Sequence, residues 1–239
     1  MHTRSLVLPA LLAAAAPLQA QTPEFGVKGG VLASAYHDAQ LPANHRINGR
    51  PGPVAGAWLR QPLSPRVALQ AELLYESRGA RFQSEGVLGW EGSLGYYEHE
   101  EKSRLHYLTL PVLVRVRFGK VFAEAGPQLS YLTAGRNALQ TRDYVRNSGA
   151  YEYLLHSASE STADFRRWEA GYAAGLGLAL TPALSVGLRY AGALTSLYPA
   201  PVFGPARPIP RAYADHYNLT RARNAALQVQ VSYRLRGGA

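Results

Sequence analysis

The chain has 239 residues, a formal net charge of +9 at pH 7, 47% hydrophobic residues and no cysteine. No disulfide framework can hold it together, and beyond the first 20 residues no apolar run approaches the roughly 18 residues of a membrane-spanning helix. A basic balance can signal nucleic acid, but the arginines are dispersed along the whole chain, so no nucleic-acid partner is expected; anionic lipid and lipopolysaccharide are better counterparts.

Residues 1–20 read as a secretory signal peptide. Arg4 supplies the positive end, Leu6 to Ala16 the apolar stretch and Pro17 the break, with cleavage expected after Ala20. Residues 21–239 are then a single exported domain. If the domain sits in a membrane it must do so as a closed barrel, because only a barrel or a helix satisfies its backbone in lipid.

A period of two, the signature of a strand with one apolar and one polar face, recurs in eight segments. In chain order they are 25–36 (FGVKGGVLASAY), 53–61 (PVAGAWLRQ), 66–78 (RVALQAELLYESR), 104–118 (RLHYLTLPVLVRVRF), 121–134 (VFAEAGPQLSYLTA), 167–180 (RWEAGYAAGLGLAL), 183–194 (ALSVGLRYAGAL) and 223–236 (RNAALQVQVSYRLR). The 53–61 segment is short and its phase is not evident. The joins alternate: Pro62–Pro65, Gly119–Lys120 and Thr181–Pro182 are tight, whereas 37–52, 79–103, 135–166 and 195–222 are long loops. Short turns at one rim and long loops at the other are the habit of outer-membrane barrels, whose turns face the periplasm. The expectation is an all-β, closed, eight-stranded, antiparallel up-and-down transmembrane barrel.

A soluble barrel would reverse the two faces, and two features argue against it. The polar phase of 167–180 is mostly small (Gly171, Ala173, Gly175, Gly177, Ala179), which suits a crowded lumen better than a water-facing surface. The apolar-phase aromatics fall at strand ends: Tyr75, Tyr131, Trp168 and Tyr190 near the long loops, Phe25, Phe118 and Tyr233 near the short turns. They form two girdles of the kind that mark membrane interfaces, consistent with 15 Tyr against 6 Phe. The opposite phase then lines the lumen with Lys28, Glu72, Arg115, Arg117, Glu124, Glu169, Arg189 and Arg234, alongside Gln70, Gln128, Gln228 and Gln230. Unpaired charges there would cost several kcal/mol each, so they are expected to pair across the barrel as a structural polar plug. Pro111 and Pro127 lie inside strands and must occupy bulges or forfeit hydrogen bonds.

The stretches FGVKGG, ALQAELLYESRG (68–79), LHYLTLPVLVRVRF (105–118), VFAEAGPQLSYL (121–132), AGYAAGLGLAL (170–180) and LSVGLRYAGAL (184–194) together resemble the PorT-like outer-membrane β-barrel family of Bacteroidetes. The resemblance implies an outer-membrane location and a small barrel, treats the two prolines as family bulges, and for one branch implies a link to type IX secretion. That family commonly ends its last strand on an aromatic residue, a place Tyr233 takes here.

Candidate chemistry is confined to the loops. His37-Asp38, Glu98-His99-Glu100-Glu101, His156 and His216 place imidazole near the long-loop rim, some of it beside carboxylates, but no spacing matches a catalytic or metal pattern. Asn218-Leu219-Thr220 is a glycosylation sequon without meaning in a bacterial source, and there is no phosphate-cradling loop. No catalytic residue, cofactor or metal is therefore expected. The 79–103 loop is acidic (Glu85, Glu91, Glu98, Glu100, Glu101) and the 195–222 loop basic (Arg207, Arg211, Arg221), which could tie them together or offer a docking surface. The sequence thus points to a monomeric, non-enzymatic barrel that binds a cell-envelope partner through its loops. A narrow solute channel and a barrel enzyme acting on lipid or peptide are the alternatives.

Overall fold

Each alternating segment has one face that cannot be left in water, and curling the sheet into a cylinder separates the two faces completely. The computed structural model describes residues 22–37, 45–90, 93–147, 150–160, 165–197 and 221–236. Ten strands run through them: β1 (Glu24–His37), β2 (His45–Pro62), β3 (Val67–Arg78), β4 (Ala80–Trp90), β5 (Ser93–Phe118), β6 (Val121–Asn147), β7 (Ala150–Glu160), β8 (Trp168–Ala179), β9 (Leu184–Ala193) and β10 (Arg223–Arg236). Antiparallel pairing follows β1-β2-β3-β5-β6-β8-β9-β10, and β10 returns to β1 with Tyr233 opposite Val27. The result is the closed eight-stranded barrel, and its strands cover the eight predicted segments to within one residue at each end.

The joins differ from expectation. Residues 80–103, 135–147 and 150–160 are not loop: β4 lies between the start of β2 and β5, and β7 lies along Asn137–Asn147 of β6. β5 and β6, of 26 and 27 residues, therefore run far beyond the barrel wall. These stretches lack the regular apolar alternation that betrays a strand, while backbone pairing continues. β2 likewise starts at His45, and its inward residues are Val54, Trp58 and Arg60. Gly52 and Gly56 on the inward phase, and Pro53, Ala55 and Ala57 on the outward one, concealed that rhythm.

Neither internal proline sits in a bulge. The β3–β5 ladder has the same register on both sides of Pro111, as does the β5–β6 ladder beside Pro127; each simply skips pairs there. The missing N–H is left out of a ladder that is otherwise continuous.

The inner face is crowded, and small residues make room for large ones. A Cβ on Gly177 would lie 2.1 Å from Cζ of Phe122, and one on Gly26 would lie 2.5 Å from the Trp58 ring. At the rim Gly119 takes φ 65°, closing the two-residue turn between β5 and β6. Gly177→Leu is expected to destabilise the barrel by about 1–3 kcal/mol through overpacking, with Phe122→Ala in the same chain recovering part of the loss. Urea unfolding in detergent micelles measures both. Equal midpoints for Gly177→Leu and the parent would refute the packing assignment.

Candidate functional site

The two faces sort as apolar outside and polar inside. Leu108, Leu110, Val112, Val114 and Phe118 of β5 all point outward and are exposed. Ten residue steps from Leu108 to Phe118 rise about 26 Å at ~3.4 Å per residue and ~40° tilt, matching the roughly 25 Å apolar band of outer-membrane barrels. Register sets Tyr75, Leu108, Tyr131 and Trp168 in one row across β3, β5, β6 and β8. The Tyr131 and Trp168 rings lie 4.8 Å apart, and the Tyr75 hydroxyl is 2.6 Å from Nδ1 of His106. Tyr190 is exposed on the same outer face, as are Phe25, Phe118 and Tyr233 at the opposite end.

Inside, side chains stack in layers. Near the long-loop end Arg78 of β3 donates through Nε to Glu76 (2.6 Å), through Nη1 to Glu169 (2.5 Å) and through Nη2 to the hydroxyls of Thr109 and Ser130 (both 3.3 Å). Its guanidinium also lies 4.9 Å from the centre of the Tyr107 ring. Asn224 donates to the other oxygen of Glu169 and to the Tyr107 hydroxyl, and Gln228 donates to Glu76 at 2.9 Å. Four strands, β3, β5, β6 and β8, meet at this one guanidinium group, and β10 joins through its carboxylate partners.

Nearer the short turns Arg189 of β9 holds Glu72 with two parallel bonds (2.7 and 2.9 Å) and Glu124 through Nε (3.0 Å). Lys28 donates to Glu72 at 2.6 Å, and Gln70 donates to the same carboxylate. The bidentate fork is geometry that arginine supplies and lysine does not. Leu32, Val54 and Leu74 form an apolar layer, with Leu74 between Glu72 and Glu76 on β3. At the long-loop end Leu105, Tyr107, Leu132, Phe165 and Leu197 form a second apolar layer, joined by Tyr36. Arg78, Arg189, Glu72 and Glu76 are among the most completely buried large side chains.

Of the predicted lumen residues, Lys28, Glu72, Glu124, Glu169 and Arg189 lie buried in these two clusters. Arg115 and Arg234 are partly buried at the short-turn end, where Arg234 donates to Glu24 at 2.7 Å. Arg117 corrects the expectation. One residue before Phe118 and the turn, it stands at the mouth of the lumen, not in its buried clusters, lies exposed and donates to the Pro65 carbonyl at 3.2 Å. Glu76 and Arg78, the core of the upper cluster, were not among the predicted residues. Their signal was present: both continue the phase of Gln70 and Glu72 along β3.

The candidate loop chemistry is dispersed. His99 pairs in register with Ser84 and Thr141, and Thr141 with His156, so two sheet spacings of about 4.8 Å each separate the histidine positions. Glu100 pairs with Arg81 (3.3 Å) and Lys102 (2.8 Å) inside its own hairpin. Asp38, Glu91, Arg207, Arg211 and His216 lie outside the described residues. No group of three potential metal ligands occurs among those described.

The family described as "Outer membrane protein beta-barrel domain" matches residues 19–198. Among solved structures the chain is similar to Ail, the attachment invasion locus protein of Yersinia pestis (12% identity, TM-score 0.40, covering 89% of this chain and 98% of that one). It is also similar to Neisserial surface protein A (12%, 0.37, 87% and 96%) and to CarO of Acinetobacter baumannii (11%, 0.34, 85% and 96%). No curated protein matches.

Arg78→Met strands two buried carboxylates and is expected to cost about 3–5 kcal/mol, whereas adding Glu76→Gln and Glu169→Gln should recover most of that loss. Denaturant unfolding of the three chains decides it. Additive losses would show that the three side chains do not act as one unit.

Proposed function

Because the chain belongs to the outer-membrane protein β-barrel domain family, we propose that it works as a membrane-embedded binding module, without catalysis, whose working surface is the part of the sheet projecting beyond the barrel. The observation that carries this reading is the contrast between the two ends of β5. From Leu108 to Phe118 it faces lipid; from Ser93 to about Leu105 it continues as a polar, paired sheet with β4 and β6. At ~3.3 Å per residue and ~40° tilt that projection reaches roughly 30 Å beyond Leu105. A barrel needed only as an anchor has no use for it. Paired strands offer a pre-organised surface, which lowers the ordering cost of binding relative to floppy loops.

The filled interior speaks against a solute channel. Two arginine-centred clusters and two apolar layers occupy successive levels of an eight-stranded barrel, a size at which side chains take up the available lumen. The partner is a component of the cell envelope, with outer-leaflet lipopolysaccharide as the surrounding anionic surface, and the barrel acts as a monomer. The resemblance to the PorT-like branch favours a partner in protein secretion.

Replacing residues 80–102 with a two-residue turn should leave the heat-dependent gel migration of a folded barrel but abolish co-purification of the partner recovered with the intact chain from native outer membranes. Single-channel recordings of the intact protein should show no discrete conductance steps. Undiminished recovery with the shortened chain, or regular steps, would contradict the proposal.

A further inference from the structure

The short-turn mouth of the barrel is not closed like the rest of the lumen. A cavity of about 210 Å³ opens there, and among its described lining residues are Arg60, Arg66, Arg115, Arg117, Arg234 and one carboxylate, Glu24. The arrangement is a cup rather than a passage, because the layer of Glu124, Arg189 and Glu72 lies immediately deeper. We propose that this cup is a binding site for a small phosphate-bearing anion on the periplasmic side, separate from the outward-facing surface assigned above.

Glu24 already shows what the cup accepts. Its two oxygens take hydrogen bonds from Nη1 of Arg60 (3.0 Å) and Nη1 of Arg234 (2.7 Å), so an oxyanion lies clamped between two guanidinium groups. That leaves three more arginines facing the same space. Arg115 is stacked 3.3 Å over Phe122, and its nearest carboxylate oxygen, Oε2 of Glu124, is 3.8 Å away, too far for a hydrogen bond. The same Glu124 oxygen is buried with no hydrogen-bond partner. Among the described residues Arg117 reaches only the Pro65 backbone carbonyl. Guanidinium groups fork onto phosphate oxygens, and a cleft of one sign with apolar walls, here Trp58 and Phe122, concentrates the opposite sign. The cavity is smaller than the roughly 300–1,000 Å³ of drug-sized sites, which suits a phosphate group or a lipid headgroup rather than a larger ligand.

Two sources carry that chemistry: soluble phosphate of the periplasm, and anionic phospholipid headgroups of the inner leaflet. The full chain, refolded in maltoside detergent, is titrated calorimetrically at constant ionic strength with inorganic phosphate, with dihexanoyl-phosphatidylglycerol below its micelle concentration, and with the zwitterionic phosphatidylcholine analogue. Saturable binding of phosphate, of the glycerol lipid or of both is expected, and the stronger of the two identifies the source. Arg66→Gln with Arg117→Gln, both exposed rim residues outside the buried clusters, should weaken it at least tenfold. Glu24→Gln, which releases Arg60 and Arg234, should tighten it several-fold while gel migration verifies folding. Heats no larger than those of chloride, equal binding of the zwitterionic lipid, or affinities unchanged in both variants would overturn the proposal.

Discussion

Everything in this molecule depends on Arg78 and Arg189 each meeting two carboxylates, at least one of them from a different strand of the barrel wall. The outer face commits the polar phase of every strand to a narrow interior, and an ion stranded there costs several kcal/mol. One guanidinium bound to two carboxylates, with hydroxyls and amides completing its hydrogen bonds, makes that interior tolerable. Such networks also fix which strand faces which, since a one-residue slip would send every partner to the lipid side. Apolar packing cannot do this here, because the apolar side chains are mostly on the outside.

The barrel was legible in the sequence because lipid and lumen impose opposite demands on alternate residues. Leu73, Leu129, Leu188 and Val229 are outward and Glu72, Gln128, Arg189 and Gln228 inward, as a period of two requires. Legibility ended where that contrast ends. β4, β7, the part of β5 before Arg104 and the part of β6 after Ala134 carry no regular apolar alternation and so read as loops, although their backbones pair. The lumen list failed at its edges for a related reason. Phase alone assigns Arg117 to the interior, but phase has no height, and Arg117 stands at the level of the turn. Glu76 and Arg78 were hidden by their neighbour Tyr75, whose role at the girdle marks a boundary on the outer face, not on the inner one.

The two ends of the barrel present different chemistry. The long-loop end is sealed by Leu105, Tyr107, Leu132, Phe165 and Leu197 and surmounted by a paired sheet whose charges, such as Glu100 with Arg81 and Lys102, are satisfied locally. The short-turn end holds an arginine-lined cup in which Glu24 is the one carboxylate among the described residues. Buried side chains fill the middle layers of the lumen between these two ends.

The central claim is the assignment of faces, and the absence of native cysteine makes it directly measurable. Single cysteines placed in turn at positions 107 to 114 of β5, spin-labelled and reconstituted in lipid vesicles, report contact with dissolved oxygen in the acyl chains. The account predicts high oxygen accessibility at Leu108, Leu110, Val112 and Val114, and low accessibility with immobilised labels at Tyr107, Thr109 and Leu113. A reversed alternation, or none, would contradict it.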